Sequence, residues 1–329
     1  MEEDSWSAAL RWWLSVFTRG DGTPLRFRFF DLAVRSLFWW TGVHVRGWCP
    51  WWIRRGAYEA ITAAQNLRAG KSRGVTTRDF TCGDGVPCRD FEPSARSTNA
   101  VLIYMHGGGW CINSEKSGLW QTVISQLVRR LGCRAVSVGY RRAPEHPFPA
   151  AIDDVLAGYQ GLLATGVSSS QVVVGGISAG GGLTAALLLA LKRDGGAMPA
   201  GAVPISPWLD LTQTAETYTS KADADPSISK DYLDRMAGYY LGGADARTPL
   251  ASPLFGDLTD LPPQLVQVGA AETLMDDSVA YARALGEADS PVSLEIYPGA
   301  VHGWHMSPHL PETQQAMRSI GSFFDDVVG

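Results

Sequence analysis

The sequence predicts an α/β fold, a mostly parallel central sheet with helices on both faces. Three features carry that expectation. Short continuous apolar runs, such as Val101-Leu102-Ile103-Tyr104-Met105 and Val172-Val173-Val174, read as strands buried on both sides. These runs alternate with longer helical stretches, the spacing of strand–helix–strand crossovers. The alternation breaks once, over residues 208–248, which contain no strand-like run.

Residues 1–74 read as helical, with apolar and Trp positions interrupted by Gly and Pro at 20–24 and 47–50. Two short runs, 75–81 and 86–91, meet at Gly83-Asp84-Gly85, a hairpin signal. The buried run 101–105 is followed by a helix over about 117–131, a strand at 135–138 and a helix over about 149–164. Next come a strand at 172–175 and the Ala/Leu-rich helix 179–193. Strands at 202–205, 265–268 and 292–296 complete the sheet, with helices near 277–288 and 312–327. There is no internal repeat and no low-complexity tract. The chain therefore divides into an N-terminal Trp-rich segment (1–74), a first core part (75–207), an insertion after the sixth strand (208–248) and a second core part (249–329).

Hydrophobic residues at 45% and charged residues at 19% allow a large core and argue against bulk disorder. A formal net charge of −5 argues against nucleic acid as a partner, since phosphate binding needs a basic face. The charge is uneven: residues 1–75 carry net +5 and the remainder −10, and residues 1–74 hold 8 of the 12 tryptophans. Met1-Glu2-Glu3-Asp4 is acidic where a secretory signal is basic, so no signal peptide is expected. Arg35 and Arg46 bracket an apolar stretch too short to span a membrane. Five scattered cysteines without a CxxC pair argue against a zinc site. Cys82 and Cys88 flank the hairpin turn and could pair, although free thiols in a reducing cytoplasm are the preferred reading.

The sharpest chemical signal is Gly176-Ile177-Ser178-Ala179-Gly180, between a buried strand and a helix, where a G-x-S-x-G nucleophile elbow belongs. The alternative is a helix N-cap serine in a Gly-rich turn. His106-Gly107-Gly108-Gly109-Trp110 directly follows the run 101–105, and such a Gly run lets backbone N–H groups approach an anionic oxygen. A phosphate-cradling loop would add Lys-Ser/Thr, which is absent. His106 itself reads as a brace for the loop rather than as a base.

A serine nucleophile needs a base and an acid. His302 follows the last strand by a few residues, and Glu272 stands at the end of strand 265–268. Asp276 and Asp277 read as caps of the next helix. The spacing His302-x-x-His305-x-x-x-His309 suggests metal ligands, but no carboxylate lies within it, so no metal is expected. His305 and His309 read as surface or pocket-rim residues.

Together these residues resemble the hormone-sensitive-lipase-like (family IV) carboxylesterases of the α/β-hydrolase superfamily. The likeness runs from about Val101 to Phe324. It includes Tyr140-Arg141-Arg142-Ala143-Pro144-Glu145-His146-Pro147-Phe148-Pro149-Ala150, Ser206-Pro207-Trp208-Leu209-Asp210-Leu211, Ala251-Ser252-Pro253-Leu254 and Leu261-Pro262-Pro263. Three positions depart from the family: Ile177 where the elbow often has Asp, Arg142 where Leu is usual, and Glu272 where Asp is more common.

The resemblance implies an α/β-hydrolase fold with a helical cap made of residues 1–74 and the insertion. It implies oxyanion donors at Gly108, Gly109 and Ala179. The expected reaction is hydrolysis of short- to medium-chain acyl esters or small lactones by Ser178, His302 and Glu272 through an acyl-enzyme, without metal or cofactor. Trp110, Trp208 and Trp304 are the expected pocket residues, and the N-terminal tryptophans the pocket roof. Two rivals stand beside this reading: a ligand-binding receptor on the same fold, and an interfacial lipase anchored by the Trp/Arg-rich N-terminus. The expected partner is a small-molecule ester rather than nucleic acid or a membrane; a homodimer is left open, and the expected location is the cytoplasm.

Overall fold

Along Val101–Met105 successive side chains alternate between two cores, Val101, Ile103 and Met105 on one side of the sheet and Leu102 and Tyr104 on the other. Both sides are apolar because both are covered. The computed structural model describes residues 55, 56, 59, 60 and 74–329. The expected helical segment 1–74, with its roof of tryptophans and its rival role as an anchor, therefore lies almost wholly outside the described residues.

Eight strands form one sheet: β1 (Val75–Cys82), β2 (Val86–Pro93), β3 (Val101–Met105), β4 (Arg134–Val138), β5 (Val172–Ile177), β6 (Gly201–Ile205), β7 (Gln264–Gly269) and β8 (Val292–Tyr297). Their order is β1-β2-β4-β3-β5-β6-β7-β8. The β1–β2 hairpin joins β4 antiparallel, and every later pairing is parallel. The helices are α1 (Gly118–Leu131), α2 (Ala150–Leu163), α3 (Ala179–Asp194), α4 (Thr217–Ser220), α5 (Lys230–Leu241), α6 (Met275–Glu287) and α7 (Pro311–Val328). Residues of α2, α3 and α6 bury against one face of the sheet, and those of α1 and α7 against the other.

Local chemistry sets the helix ends. Gly132, Gly195 and Gly242 terminate α1, α3 and α5 in the left-handed conformation, with Arg129 and Arg130, or Lys192 and Arg193, in the last turns of α1 and α3. Ser229 caps α5 by accepting the N–H of Tyr232. Helices α4 and α5 fill the stretch between β6 and β7 where no strand was expected.

On the hairpin, Phe80 faces Cys88 and Cys82 faces Val86, which sets the two cysteines diagonally. Both are buried free thiols. Among the described residues no helix is long and apolar enough to cross a membrane.

The sheet order reverses around β3, whose neighbours are β4 and β5. Loops leaving the carboxyl ends of adjacent parallel strands diverge at such a point and leave a crevice. Met105 pairs with Gly176 at that end, so the Gly run after β3 and the serine turn after β5 emerge side by side.

Candidate active site

Strand β5 ends at Ile177 and α3 begins at Ala179, which leaves Ser178 alone to make the turn. Its φ of 60° and ψ of −122° are unfavourable for any residue with a Cβ. The surroundings hold it there. The Ser178 N–H donates to Ile205 O at 2.9 Å, and its carbonyl accepts the N–H groups of Gly182 at 2.9 Å and Trp208 at 3.1 Å. The turn also brings α3 against β3: a Cβ at Gly180 would collide with Met105 O and sit 2.6 Å from His106 O. Both are backbone atoms that cannot yield. Gly180→Ala is accordingly expected to cost more than about 3 kcal/mol. Urea unfolding checks this, and an unchanged midpoint would mean that the helix does not approach β3 so closely.

In the loop after β3, Gly108 has φ 129° and Gly109 φ 58°. A Cβ at Gly108 would collide with Ile112 O, so only glycine fits the close return of the chain. His106 is fully buried beneath this loop. Its ring stacks on Tyr140 with centroids 4.2 Å apart, and its Nδ1 lies 3.0 Å from Gly107 O and 3.1 Å from the Tyr140 hydroxyl. Burial pushes its pKa down to about 3, so the ring is a neutral brace.

Asn113 Nδ2 donates to Gly107 O at 3.1 Å, and Arg142 Nη1 donates to Asn113 O at 2.7 Å. The same Arg142 nitrogen reaches Glu59 Oε1 at 2.5 Å. The family departure at Arg142, which suggested no role in the sequence, thus ties the Gly loop to the N-terminal segment. Arg55 adds a second tie through Glu145 at 2.8 Å.

His302 and Glu272 come from the loops after the adjacent strands β8 and β7. Nδ1 of His302 lies 3.0 Å from Oε2 of Glu272. Oε1 of Glu272 accepts from the Ser206 hydroxyl at 2.7 Å and from the Gly269 N–H at 2.8 Å. Ser206 stands in the quoted Ser-Pro-Trp block, where the sequence suggested no role for it; it has a φ of 41° and its hydroxyl meets the carboxylate. Burial favours the neutral form of His302. The hydrogen bond and charge of Glu272, with the charge of Asp225, outweigh it, and the imidazole titrates above the ordinary histidine value.

Three expectations about neighbouring residues need correction. Asp276 and Asp277 lie in the first turn of α6 but do not cap it. Asp276 exchanges hydrogen bonds with Thr217, and Asp277 accepts the N–H groups of Leu209 and Asp210 and the Tyr218 hydroxyl. Both fasten the insertion to α6, because its loop carries buried N–H donors that need acceptors. His305 is not at the surface: it is fully buried, with Nε2 3.1 Å from Gln267 Oε1, while His309 is exposed.

The third correction concerns the tryptophans. Trp208 lines the cavity beside Ser178, but among the described residues Trp110 and Trp304 do not. Trp110, with a φ of 57°, stacks on Tyr240 at 4.0 Å in the core. Trp304 packs between Tyr297 and His305. The residues that do line the cavity include Leu119, Trp120, Ile177 and Met306 from one core and Tyr232 and Leu233 from the other. Ile177 therefore gives the cavity an apolar wall where the family often has an acid. Ser178, His302 and Gly107–Gly109 line the same space. The N–H of Ala179 is a first-turn donor without an intrahelical acceptor. Among the described residues no group of three His, Cys, Asp or Glu is placed to hold a metal ion.

The alpha/beta hydrolase fold family matches residues 102–306. An acetyl-hydrolase of Streptomyces hygroscopicus is 42% identical over 236 residues, covering 71% of this chain and 78% of its own. An esterase of Acinetobacter venetianus is 34% identical over 241 residues, covering 73% and 78%. Among solved structures, an esterase from the bacterial hormone-sensitive lipase family superposes with a TM-score of 0.82 at 36% identity, covering 91% of this chain and 98% of that one. A hormone-sensitive lipase from a metagenome library gives 0.84 at 33% identity, covering 92% and 98%. With the sheet order, the strained serine turn and the Gly loop in agreement, the chain belongs to the hormone-sensitive-lipase-like (family IV) carboxylesterases of the α/β-hydrolase superfamily.

Proposed function

We propose that this carboxylesterase hydrolyses short- to medium-chain acyl esters, or small lactones, with Ser178 as nucleophile, His302 as base and Glu272 as acid. The observation that carries the reading is that Ser178 and His302 face one apolar cavity while His302 Nδ1 is held 3.0 Å from a buried carboxylate. That contact fixes the tautomer that leaves Nε2 free to accept a proton.

The steps follow from these positions. Ser178 Oγ attacks the ester carbonyl carbon as its proton passes to His302 Nε2, and the carbonyl electron pair moves onto oxygen. The N–H groups of Gly108, Gly109 and Ala179 receive that oxyanion. The imidazolium is stabilised by Glu272, which Ser206 and Gly269 hold in place. Collapse of the intermediate expels the alcohol with the proton from His302. Water then enters, its oxygen attacking the acyl carbon as it gives a proton to the same nitrogen, and collapse of this second intermediate releases the acid while His302 returns the proton to Ser178 Oγ.

Two observations favour a short acyl group. The half-open cavity offers about 60 Å³ beside Ser178, room for roughly four waters. The Streptomyces relative is named an acetyl-hydrolase, and acetyl is the shortest of these acyl groups. A p-nitrophenyl ester series from acetate to palmitate, run beside small lactones, tests the reading. The expected kcat/KM is highest at the short end and falls steeply for long chains. An optimum at twelve carbons or beyond, with activation at the substrate's solubility limit, would indicate an interfacial lipase.

A further inference from the structure

The insertion after β6 reaches the two loops that carry His302 and Glu272 through one short segment, residues 225–228. Asp225 is 3% exposed. Its Oδ1 accepts the N–H groups of Ser227 at 3.0 Å and Ile228 at 3.4 Å. Its Oδ2 accepts the N–H of Thr273, the residue after Glu272, at 3.0 Å. Thr273 returns a hydrogen bond to Ile228 O at 3.3 Å, and the Ser227 hydroxyl donates to His302 O at 2.9 Å. One aspartate thus pins the acid loop directly and the base loop through Ser227.

The charge of Asp225 needs its own explanation. A carboxylate accepts N–H groups on both oxygens, as an amide cannot, but its burial costs several kcal/mol unless an opposite charge offsets it. The charged groups facing Asp225 are Glu272, which repels it, and His302, which attracts it. Those facing His302 are Glu272 from the β7 loop and Asp225 from the insertion; His305, on its own loop, is neutral, its pKa pushed down to about 3 by burial. Burial raises the Asp225 carboxyl to about 6, so it is mostly ionised at neutral pH. Among the described residues the opposite charge that faces it is therefore the imidazolium that forms on His302 during the reaction.

We infer that Asp225 is a positioning residue for the reaction: it seats the acid and base loops against the insertion and supplies a second negative charge that favours the imidazolium of His302. This rests on the proposed roles of Ser178, His302 and Glu272. The sign of its effect follows. A negative charge beside His302 favours the protonated ring, and only the neutral ring can accept the serine proton. Activity therefore falls as pH drops through the His302 pKa, and removing the charge moves that limb to lower pH.

The test is the pH dependence of kcat/KM for Asp225→Asn in the full-length enzyme with p-nitrophenyl acetate. The acid limb is expected to move down by about one pH unit. At its plateau kcat should fall roughly tenfold, about one pK unit's worth of charge stabilisation, with KM within twofold. A limb that stays in place overturns the inference, even if the variant is less stable, because a purely structural residue would change the melting temperature alone. If Asp225→Asn does not fold, Ser227→Ala decides: a several-fold lower kcat with the acid limb unmoved supports the latch, and an unchanged kcat overturns it. A parallel Ser178→Ala preparation separates the two levels. Activity retained there removes the nucleophile reading itself, whereas an inactive Ser178→Ala with an unmoved limb in Asp225→Asn defeats only the role given to Asp225.

Discussion

Ser178→Ala is expected to lower kcat for p-nitrophenyl acetate by on the order of 10⁶-fold while leaving the melting temperature within a few degrees of wild type. The two halves have separate causes. The φ of 60° at position 178 strains any residue with a Cβ, so alanine bears the same backbone cost as serine. The bonds that hold the turn all use main-chain atoms of residue 178, to Ile205, Gly182 and Trp208. Only the hydroxyl oxygen is lost, and with it the proposed acyl-enzyme route. What remains is the oxyanion loop and substrate binding, which sustain roughly 10³–10⁴-fold over the uncatalysed reaction. Stopped-flow and end-point assays of the purified variant, with circular dichroism to verify folding, measure both quantities. A variant with a tenth of wild-type activity would exclude the serine mechanism.

How much of this was legible in the sequence depends on the range of each interaction. Val101–Met105 and Val172–Ile177 are recognisable because a strand buried on both faces is apolar at every position, a property of the strand alone. The serine turn is equally local: a strand, two glycines around one serine, and a helix. The insertion was visible as a gap in the alternation, although the ends of α4 and α5 were not. What escaped was set by partners far along the chain. Asp277 looks like a helix cap from its neighbours, yet its acceptor oxygen serves Leu209 and Asp210, 68 and 67 residues away. Trp110 adjoins the Gly run and seemed a pocket residue, but its ring finds Tyr240, contributed by α5. His305 is held by Gln267 on β7, and Arg142 by Asn113 and Glu59. In each case residue type and spacing were correct clues to importance, and the direction of the side chain came from tertiary packing that no local pattern encodes.

The assignment of the acid can be decided by comparing Glu272→Gln with Asp276→Asn. The two carboxylates are four residues apart at the end of β7, and in the sequence either could serve a histidine. Their environments differ. Glu272 is fully buried, with one oxygen 3.0 Å from His302 Nδ1 and the other engaged by Ser206 and Gly269. Asp276 is partly exposed and its contacts are to Thr217 on the insertion. Glutamine at 272 keeps the shape but removes the charge, and its amide group can face His302 with N–H instead of oxygen. The ring would then flip its tautomer and present a protonated Nε2 to Ser178, which cannot accept a proton. The expected loss in kcat is on the order of 10⁴-fold, with KM little changed. Asparagine at 276 still accepts from the Thr217 N–H, so kcat should stay within about twofold and only the urea midpoint should shift, by less than about 1 kcal/mol of stability. Steady-state kinetics on one short ester, at a pH on the plateau of the wild-type profile, distinguish the two. If the Asp276 variant is the more damaged in kcat, the acid is Asp276, and the 3.0 Å contact between Glu272 and His302 has another purpose.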